Sequence, residues 1–261
     1  MTWEVHQGDS LRWLTEYRGP AFDAVVTDPP YSSGGMMRGD RSMATRSKYV
    51  NSDSASGQLL PDFAGDSRDQ RSWTLWSTLW LAEALRVTRP GGILWVFIDW
   101  RQLPAMCDAV QAGGWLWRGI VPWNKTEAAR PQKGRPRAQC EYCVFATNGP
   151  HAASADDVCL PGFFEYSTPR DRMHITEKPV ALIQDLLRIV TPGGRVLDPF
   201  LGSGSHGEAA VLTGRDFVGC EVVPELATMA SARLEAAANG LSMADANAGQ
   251  IGMFNEEGVT P

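Results

Sequence analysis

The sequence predicts an α/β fold, a seven-stranded and mostly parallel sheet with helices on both faces. Three observations predict it. Short apolar runs alternate with stretches of helical periodicity along the 261 residues, as strands joined by crossover helices do. The runs are continuous rather than alternating in polarity, which fits strands covered on both faces. One run, 195–198, passes through a glycine-rich turn into a helical stretch, an order that turns backbone N–H groups toward a ligand.

Taken in order, Trp3–Asp9 reads as a strand and turn, and Phe22–Asp28 as an apolar, β-branched strand ending in prolines. Residues 72–88 suit a long helix, with Trp73, Trp76, Leu79, Trp80, Ala84 and Val87 at helical spacing. Arg89-Pro90-Gly91-Gly92 closes it, and 93–98 is a buried strand. A helix over 101–112 stops at Gly113-Gly114. Residues 115–123 and 140–147 are two further strands, and a helix over 179–190 follows. The last strands are 195–198 and 216–221, with helices over 205–213 and 224–238. Residues 1–238 thus read as one domain. Two regions resist this scheme. Residues 32–70 are rich in Ser, Gly, Asp and Arg and lack an apolar period; they are too long for an ordinary loop and read as a mobile or functional insert. Residues 239–261 read as a loosely ordered tail.

Bulk properties narrow the function classes. With 43% hydrophobic and 21% charged residues the chain matches an ordinary globular domain. Met1–Asp9 has no apolar core and carries two acids, so no signal peptide is expected there. No apolar run reaches membrane-spanning length, so no membrane partner is expected. Five scattered cysteines, an odd number, point to a reducing, cytoplasmic setting. Cys140 and Cys143 form a C-x-x-C, but on a strand residues three apart face opposite ways. No metal is expected. The net charge of −6 is not that of a bulk nucleic-acid binder. A local excess does occur at 125–137, where Lys125, Arg130, Lys133, Arg135 and Arg137 face Glu127 alone. By itself that run reads as a solvated loop rather than a binding element.

Two motifs carry chemistry. Asp28-Pro29-Pro30-Tyr31 follows a strand directly. Two prolines stiffen the loop, which presents a carboxylate, a carbonyl and an aromatic ring. The set suits a planar exocyclic amine, a poor nucleophile because its lone pair is delocalised into its ring. Two acceptors, Asp28 and the Pro29 carbonyl, would favour a tetrahedral nitrogen, and Tyr31 would stack on the base. Such stacking is worth about 1–3 kcal/mol, and the base must first leave its duplex. The second motif is Asp198-Pro199-Phe200-Leu201-Gly202-Ser203-Gly204-Ser205, between a strand and a helix. Gly202, Gly204 and Gly207 match G-x-G-x-x-G, and Glu221 ends the next strand, where an acid commonly holds ribose hydroxyls.

These motifs, with His174–Val180 just before the second, resemble the β-class amino methyltransferases of DNA, in which the catalytic half precedes the cofactor half. Gly8-Asp9, Gly91–Ile98, Val121–Lys125, Gly134–Thr147 and Asp216–Val222 fall in the same order. The resemblance covers about 1–31 and 72–238. It implies a class I, Rossmann-like methyltransferase sheet with circularly permuted motifs, S-adenosylmethionine as cofactor and double-stranded DNA as partner. It implies direct methyl transfer to a flipped base. Adenine N6 is favoured over cytosine N4, because Asp28 heads the catalytic motif where cytosine enzymes more often carry serine. Asp28, Pro29, Pro30 and Tyr31 would be catalytic, with Asp28 also bordering the cofactor. Asp198, Phe200, Gly202, Ser203, Gly204 and Ser205 would line the methionine side, Glu221 would take the ribose, and Asp9 would lie near the adenine. Thr176 and Lys178 would form the opposite wall.

The chain departs from the family at Ser205-His206, where two threonines are usual; His206 reads as a tolerated helix-start residue. Residues 150–172, where target recognition is often placed, are short for that purpose, and the 32–70 insert is a candidate to close over DNA. In this setting 125–137 reads as a phosphate-contacting loop. Dimerisation is common in the family, and Trp73, Trp76 and Trp80 are candidates for either an interface or the core. Gln250–Phe254 resembles peptides that dock on bacterial sliding clamps, the alternative being a tail folded on the core. The rival readings are an N4-cytosine enzyme, a structured-RNA methyltransferase, a nicotinamide dehydrogenase and a DNA-binding module without activity. The dehydrogenase explains the glycine turn but not Asp28–Tyr31.

Overall fold

Asp69 starts the longest helix by accepting the backbone N–H groups of Arg71 and Ser72, the usual way of satisfying first-turn donors. The computed structural model describes residues 1–32, 68–127, 129, 133–134, 136–151, 158–169 and 177–241. Six helices lie within them: α1 (Ser10–Glu16), α2 (Gln70–Val87), α3 (Leu103–Ala112), α4 (Val180–Leu187), α5 (Ser205–Leu212) and α6 (Pro224–Ala238). The strands are β1 (Trp3–Gln7), β2 (Phe22–Thr27), β3 (Thr88–Ile98), β4 (Leu116–Asn124), β5 (Cys140–Thr147), β6 (Phe164–Glu165), β7 (Arg195–Asp198) and β8 (Asp216–Glu221). They form one sheet in the order β1-β8-β7-β2-β3-β5-β4-β6.

The mixed α/β fold and mostly parallel sheet agree with the sequence reading, with one strand more. β1, β8, β7, β2 and β3 are mutually parallel, β5 runs antiparallel to β3 and β4, and β6 pairs parallel to β4. The added strand, β6, is two residues long and pairs Phe164 with Trp123 and Glu165 with Asn124; a dipeptide carries no periodicity to read. It falls in the segment expected to help recognise the target. Arg89–Gly92 does not lie outside the sheet as expected but belongs to β3, whose Thr88 pairs with Phe22 across a register shift.

The central strand runs are apolar on both faces because helices cover both faces, whereas much of β1 and β4 stays exposed. Val25 and Val26 are both fully buried, yet they enter different cores. Val26 packs with Leu182, Leu186, Ala209 and Ala230 from α4, α5 and α6. Val25 packs with Leu14, Trp80 and Met106 from α1, α2 and α3. Trp73 and Trp80 are wholly buried in that second core, so these two fill the interior rather than an interface. Among the described residues no helix is long and apolar enough to cross a membrane.

The topology fixes where a ligand can bind. From β2 the chain passes through α2 to β3 on one side, and from β7 through α5 to β8 on the other. β2 and β7 are neighbours, so the winding reverses between them. A crevice opens outside the carboxyl ends of strands at such a point. Asp28 follows β2 and the glycine turn follows β7, so both motifs flank that crevice.

Candidate active site

The Asp28–Tyr31 loop leaves β2 at Asp28 and is fixed from beneath, where Trp73 Nε1 donates to the Pro30 carbonyl at 2.8 Å. This contact explains why a tryptophan sits in the first turn of α2. Tyr31 Oη donates to Asp28 Oδ1 at 2.5 Å and lies 3.2 Å from Glu141 Oε2. Lys178 Nζ donates to Asp28 Oδ2 and lies 3.3 Å from Glu141 Oε2. Lys125 Nζ donates to the other Glu141 oxygen at 2.7 Å. The Lys178 side chain is 3% exposed, and those of Asp28 and Glu141 are 16% exposed. Two carboxylates and two ammonium groups therefore alternate in a largely dry cluster, with the Tyr31 phenol beside them.

Electrostatics keep these groups in those forms. Burial opposes the charge of Lys178, but Asp28 and Glu141 outweigh it and hold the ammonium above its ordinary pKa. Burial likewise raises the Glu141 carboxyl, but Lys178 and Lys125 bring it below its ordinary value. Burial and the charges of Asp28 and Glu141 push the Tyr31 phenol well up. At neutral pH Tyr31 is thus a donor and Glu141 an anion.

The second motif wraps Glu221. Its Oε2 accepts the Gly202 N–H and its Oε1 the Val223 N–H, both at 2.8 Å. Burial raises the Glu221 carboxyl, and those N–H groups offset part of the rise. Gly202 and Gly204 adopt φ of 55° and 89°, which only glycine enters without strain. A Cβ on Gly202 would meet nothing within 4 Å, so this position faces open space. Gly207, by contrast, serves packing, because a Cβ there would lie 2.7 Å from Phe217. Gly8 donates to the Glu221 carbonyl at 2.8 Å, which brings Asp9 to the mouth of the same turn. Asp9 also caps α1 by accepting the Arg12 N–H.

Several expected site residues stand elsewhere than the sequence placed them. Asp198 is fully buried; it accepts from Thr27 Oγ1 at 2.6 Å and from the Phe200 N–H at 3.0 Å, and its other oxygen lies 2.6 Å from His206 Nδ1. With these donors in place it organises the turn from behind rather than lining its open face. Phe200 turns toward α2, 5.3 Å from Trp76 and 5.0 Å from Trp80 between ring centroids. Ser203 and Ser205 are buried within the turn. Lys178 joins Asp28 and Glu141, the two carboxylates that draw it in. Its neighbour Glu177 anchors the segment by pairing with Arg233 at 2.8 Å. His206 is no bystander: 3% exposed, it bonds Asp198 and stacks on Phe97 at 5.6 Å.

The basic loop is divided. Lys125 turns inward to Glu141, because a half-buried ammonium beside a buried carboxylate gains more there than in water. Lys133 and Arg137 are exposed, and Arg137 Nη1 donates to the Glu127 carbonyl at 2.6 Å. Arg130, Arg135 and Thr176, the clamp-like segment 250–254 and most of the 32–70 insert lie outside the described residues. Glu141, Thr27 and His206 were missed as site residues. For Glu141 a signal existed, since an acid inside an apolar strand must find a cation.

Residues 22–232 match the model of the N6/N4 methyltransferase family, described as DNA methylase. The relative named "Putative methylase YubD" from Escherichia coli (strain K12) is 28% identical over 242 residues, covering 92% of this chain and 94% of its own. Among solved structures, the M1.HpyAVI complex with SAM superposes with a TM-score of 0.65 at 20% identity, covering 89% of this chain and 100% of that one. The PvuII DNA methyltransferase, titled cytosine-N4-specific, superposes with a TM-score of 0.66 at 14% identity, covering 88% and 86%.

Proposed function

From the premise that the chain belongs to the N6/N4 DNA methylase family, we propose that it transfers a methyl group from S-adenosylmethionine to N6 of a flipped adenine in double-stranded DNA. The observation that carries the reading is the meeting of both motifs at the switch point between β2 and β7, joined by the Thr27–Asp198 bond. Asp28 at the head of the catalytic loop favours adenine over cytosine.

The residues present fit that cofactor. Glu221 offers a carboxylate to a pair of ribose hydroxyls, and Gly202 leaves open space for a ligand to reach its backbone. Asp9 stands beside them for the adenine end. When bound, S-adenosylmethionine supplies an electrophilic methyl group on a sulfonium.

The protein supplies the rest. Asp28 and the Pro29 carbonyl accept the two amino hydrogens and localise the nitrogen lone pair. Tyr31 packs against the base and bonds Asp28, which holds the carboxylate in orientation. Exclusion of water by the surrounding cluster strengthens each of these contacts. Lys133, Arg137, Arg130 and Arg135 contact phosphates flanking the flipped base, whereas Lys125 serves the catalytic cluster.

The test is methyl transfer from labelled S-adenosylmethionine to unmethylated genomic DNA, followed by mass spectrometry of the nucleosides. N6-methyladenine is expected. N4-methylcytosine would keep the roles of Asp28 and Tyr31 and correct the base. No methylated nucleoside, from protein shown to bind the cofactor, would overturn the reading.

A further inference from the structure

We propose that Glu141 is a positioning residue that draws Lys178 off Asp28 when the target amine enters. The proposal rests on the amino-methyltransferase reading above. A target amine needs an oxygen of Asp28, and both are already engaged by the protein's own side chains. Tyr31 Oη takes Oδ1 at 2.5 Å, and Lys178 Nζ takes Oδ2. Each oxygen keeps a further lone pair, but an entering amine competes with these two donors for the same carboxylate.

Both have the same place to go. Glu141 Oε2 lies 3.3 Å from Lys178 Nζ and 3.2 Å from Tyr31 Oη. An ammonium carries three donors, so Lys178 can pass from one carboxylate to the other without losing an ionic partner. The charge it carries never enters an apolar space, which would cost far more than the move itself. Lys125 holds the other Glu141 oxygen at 2.7 Å and so fixes the receiving carboxylate. The Phe97 ring, 5.5 Å from Nζ, bounds the space in which Lys178 swings.

The hand-off serves the chemistry as well as the fit. The Lys178 ammonium at Asp28 Oδ2 stands where the departing proton would go. In the transfer the nitrogen lone pair forms the N–CH3 bond, and the S–CH3 bond breaks with its electron pair remaining on sulfur. One N–H proton passes to the Asp28 carboxylate and from there to solvent. With Lys178 on Glu141, that oxygen is open when the proton arrives. Lys178 cannot itself take it, being already protonated.

The test compares Glu141→Gln in two backgrounds, wild type and Lys178→Met, on unmethylated genomic DNA with labelled S-adenosylmethionine. In the wild-type background the KM for DNA should rise about tenfold. Cofactor affinity, measured by calorimetry, should stay unchanged. In the Lys178→Met background the same substitution should leave the KM for DNA unaltered, because no ammonium remains to be moved. Equal rises in both backgrounds would overturn the proposal, since Glu141 would then act independently of Lys178. Should Glu141→Gln fail to bind cofactor, Glu141→Asp carries the same comparison, keeping the charge and shortening its reach. Absence of methyl transfer by the wild-type protein would instead overturn the parent reading, and this one with it.

Discussion

Thr27 Oγ1 donates to Asp198 Oδ1 at 2.6 Å, joining residues 171 apart in sequence. Thr27 ends the strand that presents Asp28, and Asp198 ends the strand that presents the glycine turn. One buried bond thus sets the spacing between the group that would hold the base and the loop that would hold the methyl donor. Reactions between two bound partners are sensitive to such spacing, and a misplacement of about 1 Å can cost about 100-fold in rate.

His206 completes that arrangement, and its loss should show as instability. It supplies a partner for the second oxygen of Asp198 and fills space against Phe97. His206→Ala removes a partner from a carboxylate with no exposed surface and leaves a void beside an aromatic ring. Removing one hydrogen-bond partner from a buried group costs about 1–3 kcal/mol. Urea denaturation would measure it, and a loss below about 1 kcal/mol would mean that Asp198 does not depend on His206.

Asp28→Ala should abolish methyl transfer while cofactor binding survives. The carboxylate touches the catalytic cluster, and the glycine turn and Glu221 do not rely on it. Removing one preorganised polar contact in an active site costs about 100- to 1000-fold in kcat, and the remaining Lys178 ammonium would repel developing positive charge. Cofactor affinity should change less than about threefold, within the usual additivity of separate sites. Near-normal turnover of this variant would remove the basis of the assignment.

The strands and helices were legible because their apolar periods are long and each feeds a core on one or both faces of the sheet. β2 and β3 show this, each filling both cores with successive residues. Asp28, Tyr31, Gly202 and Glu221 were legible because a stiff or glycine-bearing turn beside a strand leaves a local trace. The Glu141 cluster was not, because it joins the start of β5 to residues on three separate segments, and no local pattern encodes such pairing. Asp198 and Lys178 show the converse. Their motifs located the right regions, but which way each side chain faces was decided by partners elsewhere, Thr27 and His206 for one and Glu141 for the other.

The basic loop should separate into two kinds of cation. Lys133 and Arg137 are exposed, and each is expected to release counterions on meeting a phosphate. Lys133→Ala and Arg137→Ala should each lessen the slope of log affinity against log salt by about 0.9. Lys125→Ala should leave that slope unchanged, since its ammonium is bound to Glu141. Titrations of labelled duplex DNA at several salt concentrations would decide. An equal change for Lys125 and Lys133 would place Lys125 on the DNA.

Cofactor affinity should fall as the pH drops into the range just above that of an ordinary carboxylate, and Glu221 should be the cause. Burial raises its pKa, so it takes up a proton at a higher pH than an exposed glutamate would. Ribose hydroxyls donate more strongly to the ionised form than to the acid, so binding pulls the equilibrium toward the carboxylate. The sign follows: the cofactor binds best above the raised pKa and releases a proton when bound near it, and affinity is lost as Glu221 protonates. Calorimetry of S-adenosylmethionine binding at neutral and mildly acid pH would show both the weakening and the proton release. Glu221→Gln cannot ionise, so it should bind more weakly at neutral pH and lose the pH dependence. A Glu221→Gln protein that keeps the wild-type pH profile would assign the titration to another group and remove Glu221 from the ribose.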